Sequence, residues 1–406
     1  MTGEGGLSAD TSLPLLLKKN WQQWGANRIA ARRKQFGIWE EYTWEHHYQE
    51  TKTICLGLIS LGFNPFDRAM ILGKGCPEWL WCELAVQTLR GGALGPNPDE
   101  APAGTENAVN SFQPRFAFVE HQGQANGLVT IRQKSPFLEK IVYWKGEGQG
   151  SSGDPILISL ADLRKRGQEH EKAHPAEFDG KLNEVKSTDT AIVFATAQGG
   201  GSLRFTAATH QSLLSSLLAN RASGAKYRGC RSEYVVMGSF GQPSEQVFGL
   251  AGSLAVGQTI SFAEYPATAQ GDFREICPHV VVLPAEAWNE IASTIESNAR
   301  RGSWLKRQIL SRSLSVRLKL VDKEAEHKSP GVWERLAGGI AGLVTVQPIK
   351  DKHGLNRATI TFASGNGVFP ESVRLLKAVD VHLEQVQRSG RDGIVGTDPG
   401  NDLRVG

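Results

Sequence analysis

Three glycines in a row, Gly199, Gly200 and Gly201, stand between the apolar run TAIVFAT (190–196) and the segment SLRFTAATHQSLL (202–214). A strand that feeds a glycine-rich turn leaves backbone N–H groups free to point at an anion, and glycine lets the backbone approach it closely. Arg204 follows where a guanidinium could meet a phosphate, and the turn is expected to open onto a helix from about Thr209. The same residues would serve a strand–helix connection that needs glycine only to turn, and both readings stand.

Other segments suggest chemistry less strongly. Residues 170–174 read HEKAH, so on a helix His170 and His174 would share a face and could bind zinc with Glu171 as the base of a metalloprotease. Their surroundings are polar on every side, Pro175 ends the helix, and no third ligand falls at a plausible spacing; a solvated helix is the expectation. GQGSSG (148–153) has dinucleotide-loop spacing but runs into Asp154-Pro155 and strand-like residues instead of a helix, which fits a surface loop. Residues 299–323 carry eight basic residues and one acid among apolar ones. An exposed helix with one packed stripe is expected there ahead of contact with anionic lipid. His46, His47, His210 and His353 lack carboxylate or cysteine partners at readable spacing.

Strand and helix patterns alternate around these segments. Helices are expected over 50–61, 77–92, 158–174, 246–256, 286–300 and 370–379, with strands at 67–73, 115–120, 140–144, 190–196, 234–238, 258–264, 279–284, 357–363 and 381–386. Pro77 and the Gly91-Gly92 pair punctuate one helix as expected. Apolar strands alternating with helices predict an α/β fold with largely parallel sheets.

The 406 residues allow two or three compact units. Lys+Arg 45 against Asp+Glu 42 is too balanced for a dedicated nucleic-acid binder. Five scattered cysteines without a C-x-x-C pair argue against disulfides or a zinc knuckle. No stretch reaches ~18 uninterrupted apolar residues, and no secretory leader is apparent. A cytoplasmic protein is the expectation.

The segment 190–210 resembles the signature Y-T-S-G-T-T-G-x-P-K-G-V-x-L-T-H of the adenylate-forming superfamily, in particular AMP-forming long-chain fatty-acid–CoA ligases. Segments 56–98, 244–264, 273–295, 303–307 and 347–385 resemble the same family in the same order, from about residue 14 to about 405. The resemblance implies two packed α/β subdomains of the ligase's large N-terminal domain, 14–186 and 187–386, behind a tail of 1–13. Residues 387–406 would be the truncated start of an incomplete β-barrel, with the C-terminal lid domain absent.

It also implies ATP-dependent activation of a fatty carboxylate as an acyl-adenylate and transfer to coenzyme A, with ATP, Mg2+ and CoA as cofactors. Thr196 and Gly199–Gly201 would cradle phosphates, Arg204 would replace the loop lysine, and Ser364, Gly365, Asn366 and Gly367 would face adenine. Ala197, Gln198, Gly199 and Gly200 stand where the family has S-G-T-T, which removes three hydroxyls. Gln387–Arg391 stand in for Y-G-x-T-E, so a guanidinium takes the place of the acid that holds Mg2+. No residue is assigned a catalytic or metal-binding role. The expected partners are a small carboxylate, a nucleotide and a separate C-terminal-domain protein. Two readings remain: a ligase with weak or lost activity in this chain alone, or a non-catalytic nucleotide- or acyl-binding scaffold.

Overall fold

The computed structural model describes residues 10–96, 102–146, 154–198, 201–221, 232–300, 303–365 and 367–386. The strands are Ile29–Gln35 (β1), Ile38–Thr43 (β2), Arg68–Leu72 (β3), Gly92–Leu94 (β4), Phe116–His121 (β5), Lys140–Lys145 (β6) and Leu157–Ser159 (β7). They continue with Thr190–Ala197 (β8), Leu203–Thr209 (β9), Glu233–Val236 (β10), Thr259–Phe262 (β11), Val280–Pro284 (β12), Ile360–Ser364 (β13) and Leu383–Gln385 (β14). Among the described residues, one compact unit draws on 10–221 and 238–262, the other on 232–237 and 263–386.

The first unit is built on a sheet in the order β7-β6-β5-β3-β4-β8-β9. Its strands run parallel except for the antiparallel pair β8–β9. Met70, Ala117, Val119 and Ile141 on this sheet pack with Val109, Ala125 and Leu128 from the helices, forming an apolar core. The helix Pro77–Thr88 is buried along almost its whole length, which its continuous apolar text demands. The helix Trp44–Ser60 starts six residues before the expected Glu50, because the Thr43 hydroxyl accepts the His46 N–H at 3.2 Å and caps it there. It packs on the helix Leu160–Ala173 so tightly that a Cβ on Gly167 would lie 1.9 Å from the Thr53 carbonyl oxygen. Strands β1, β2 and β11 also belong to this unit, with β1 parallel to β11 and antiparallel to β2.

The second unit holds a parallel sheet in the order β14-β13-β12-β10. Its core gathers Val281, Phe273, Trp288, Leu375 and Leu376. The helix Trp304–Ala325 buries Leu314 in this core and packs Leu318 and Val321 against it, while Trp304, Leu305 and Ile309 stay exposed. Its packed stripe follows the sequence pattern. The molecule is thus α/β with two sheets rich in parallel strands, as the alternating text predicts. The expected β-barrel start, 387–406, lies outside the described residues.

Among the described residues, no helix is long and apolar enough to cross a membrane. Cys55, Cys76, Cys82 and Cys277 are free thiols, the first three buried and pushed well above the ordinary thiol range by that burial.

Candidate functional site

The glycine turn does not open onto a helix. It opens onto β9, which pairs back antiparallel on β8, and the helix begins only at His210. The period-two alternation of Leu203, Phe205 and Ala207 with Arg204, Thr206 and Ala208 accounts for the strand. A helix-terminal anion site is therefore not what these residues build.

They build a hairpin tip at the carboxyl edge of the parallel sheet. β8 runs parallel to β4, so the chain leaving Ala197 emerges where open α/β sheets place ligands. Thr196 and Arg204 are direct cross-strand partners and share one face of the hairpin. On the other face Phe205 packs with Phe112, ring centroids 5.4 Å apart, together with Leu94 and Val193. That apolar face anchors the hairpin, and Thr196 and Arg204 lie on the opposite face.

Burial changes abruptly along β8: Ala191–Phe194 are buried, while Ala195, Thr196 and Ala197 are exposed. At the tip, the Gln198 N–H donates to the Ser202 carbonyl at 3.0 Å, and the Asn107 side-chain amide donates to the Gly201 carbonyl at 2.7 Å. Gly201 has φ +81°, with no atom within 4 Å of where a Cβ would stand. Thr196, Gly201 and Arg204 thus come together at an open, anchored tip whose cation and hydroxyl suit an anion. Gly199 and Gly200 lie outside the described residues.

Ser364, Gly365 and Gly367 belong to the second unit, at the carboxyl end of β13. Ala363 pairs with Leu283 and Gln385, and Ser364 with Pro284. Beyond them Gly365 (φ +79°) and Gly367 (φ +113°) adopt left-handed backbone with open space at both Cβ positions. Asn289 spans this bend: its amide N–H donates to the Gly367 carbonyl at 2.9 Å and its oxygen accepts the Phe369 N–H at 3.0 Å. Buried Trp288 fixes the strand by donating to the Phe362 carbonyl at 3.0 Å. Gly365 and Gly367 thus leave open space beside the end of β13. Asn366 lies outside the described residues.

Sequence reasoning missed a buried acid. Glu83, fully buried in the helix Pro77–Thr88, accepts hydrogen bonds from Trp79 Nε1 (3.2 Å), Gln87 Nε2 (3.1 Å) and Gln246 Nε2 (3.0 Å). Gln246 sits in the π-helical stretch Glu245–Ala251, and Gln87 also donates to the Ala191 carbonyl of β8 at 3.2 Å. Burial pushes the Glu83 carboxyl up to about 8, against the opposing pull of its three donors. At neutral pH it is therefore mostly a neutral acid, toward which Gln87 and Gln246 both turn their Nε2 groups. The signal in the sequence was a single acid inside the run WLWCELAVQ.

A second cluster was half legible. His174 ends the helix Leu160–Ala173, and the chain turns at Pro175 into the helix Glu177–Glu184. That turn brings Glu177 back, its Oε2 2.7 Å from His170 Nε2, and the His170 and His174 rings stack with centroids 4.5 Å apart.

The family model described as AMP-binding enzyme matches residues 17–363. The chain is 18% identical over 351 residues to the long-chain-fatty-acid–CoA ligase heimdall of Drosophila melanogaster, covering 85% of this chain and 51% of that protein. It therefore spans about half that relative's length. Among solved structures it resembles the A-PCP didomain of a carboxylic acid reductase from Segniliparus rugosus in complex with AMP, at TM-score 0.65 and 11% identity. That match covers 94% of this chain and 53% of the other. It also resembles the long-chain-fatty-acid-CoA ligase FadD1 of Archaeoglobus fulgidus, at TM-score 0.62 and 13% identity, covering 93% and 63%. At such identities the structures establish the fold.

Proposed function

Because this chain belongs to the AMP-binding enzyme family, we propose that it binds an adenine nucleotide and a fatty carboxylate, and that alone it activates the carboxylate weakly or not at all. One observation carries this reading: the β8–β9 hairpin, anchored through Phe205 and Asn107, holds Arg204 opposite Thr196 at the carboxyl edge of the sheet. A guanidinium and backbone N–H groups suffice to hold phosphate oxygens. The left-handed Gly365 and Gly367, with no Cβ to obstruct a ring, support the assignment of residues 364–367 to adenine.

The chemical step asks for more. Displacement at a phosphorus centre depends on positioning and charge stabilisation, and Mg2+, when bound, supplies the charge that neutralises transferring phosphate oxygens. Among the described residues of the hairpin, Phe194–Gln198 and Gly201–Thr206, there is no carboxylate to hold that ion. Ala195 and Ala197 flank Thr196, leaving one hydroxyl at this end of β8. The hairpin's guanidinium and hydroxyl suit phosphate oxygens and offer Mg2+ no anionic ligand. Any activity would be that of an AMP-forming acid–thiol ligase with CoA as acceptor. Free buried thiols favour a reducing, cytoplasmic setting.

ATP–pyrophosphate exchange with medium- and long-chain fatty acids tests the weak-activity part. Exchange at background is expected, and rapid fatty-acid-dependent exchange would overturn it. Titration of AMP and ATP into the same protein tests the binding part. Absence of nucleotide binding would leave only the scaffold reading.

A further inference from the structure

We propose that His170, His174 and Glu177 form a binding site for a transition-metal dication of the zinc class, separate from any nucleotide chemistry and independent of the ligase reading. One ligand atom from each, an imidazole nitrogen from either histidine and a Glu177 carboxylate oxygen, lies within 4.8 Å of the other two. The site is empty. Histidines four apart on a helix project from one face, and here they fall at the end of Leu160–Ala173, with His174 as the capping residue. The Pro175 turn then delivers Glu177 as the first residue of the next helix.

The donor set selects the ion. Two imidazoles and one carboxylate are ligands for zinc, nickel, cobalt or copper, whereas magnesium and calcium prefer oxygen throughout. Metal–ligand bonds of about 2.0–2.2 Å at tetrahedral angles place ligand atoms about 3.3–3.5 Å apart. The His170–Glu177 pair, now 2.7 Å apart, would open slightly as the ion replaces the shared proton. His174 is exposed, so its ring can swing inward without disturbing the core. Water would take the fourth position.

The same geometry argues against a hydrolytic role. Glu171, the acid between the two histidines, is held by Lys52 Nζ at 2.5 Å, on the helix Trp44–Ser60. What the ion would do is join the helices Leu160–Ala173 and Glu177–Glu184 across the turn.

Calorimetric titration of zinc chloride into the full chain, stripped with a chelator beforehand, tests this. One zinc per chain is expected, with the cobalt-loaded protein showing the strong visible absorption of a tetrahedral site. His174→Ala and Glu177→Gln should each weaken binding by about 100-fold, because each removes one of three ligands, and losing a group that merely supports a ligand already costs about 10–100-fold. His174 is exposed, and an unchanged circular dichroism spectrum in chelator would show that the variants are folded. Zinc affinity unchanged in both folded variants, or no saturable binding by the unaltered chain, would overturn the proposal.

Discussion

Replacing Glu83 with glutamine is expected to remove a fall in stability of roughly 3–5 kcal/mol between about pH 4.5 and pH 8. In the folded chain the Glu83 carboxyl keeps its proton up to about pH 8 because burial disfavours the anion. The unfolded chain releases that proton near the ordinary glutamate value, about 4.3. Over that window the native state binds more protons than the unfolded state, so stability falls as pH rises and is fully present only below it. Glutamine is nearly isosteric with the neutral acid and, like it, is uncharged and offers both an acceptor oxygen and a donor. Glu83→Gln should therefore match the unaltered chain near pH 4 and exceed it at pH 8. Buried His47 and His210, depressed to about 3 and about 4, bend the profile the other way below their unfolded value. They do so in both proteins, so the difference between urea midpoints isolates Glu83. Equal midpoints at pH 8 would show that this acid is ionised inside the helix layer.

Arg204→Ala is expected to weaken ATP binding by about 10–100-fold. A hydrogen bond to a charged group contributes about 1.5–3 kcal/mol, and 1.4 kcal/mol is tenfold in affinity. Arg204→Lys should recover part of the loss, because lysine keeps the charge but not the two-pronged geometry. Thr196→Ala should cost less, since it removes one neutral partner. Calorimetry on the three variants orders these contributions. An affinity for ATP unchanged in Arg204→Ala would place the phosphates elsewhere.

Much of the scaffold was legible because its signals are local. TAIVFAT is a continuous apolar run, and it is the buried strand β8. Pro77 opens a helix where proline is tolerated, and the glycines follow its end. β9 escaped because Thr-Ala-Ala-Thr beside His210 looks like a helix start, while the alternation of Leu203, Phe205 and Ala207 asserts itself only once β8 is there to pair with. The residues proposed to meet phosphates stand on a hairpin where the sequence suggested a turn leading into a helix.

Glu83 and Glu177 were missed for tertiary reasons. A lone acid in an apolar helix carries no sign of what lies across from it, and its partner Gln246 is 163 residues away. Glu177 was passed over because Pro175 ends a helix in the sequence, while in space the same turn folds the next helix back onto the histidines.

The proposed phosphate site is the hairpin tip between Thr196 and Arg204. Amide hydrogen exchange read peptide by peptide, with and without saturating ATP, tests it most directly. ATP should slow exchange in the peptide spanning 195–205 and leave the His170–Glu177 turn unaffected. Exchange across 195–205 that ATP leaves unchanged, while the chain demonstrably binds it, would place the phosphates elsewhere.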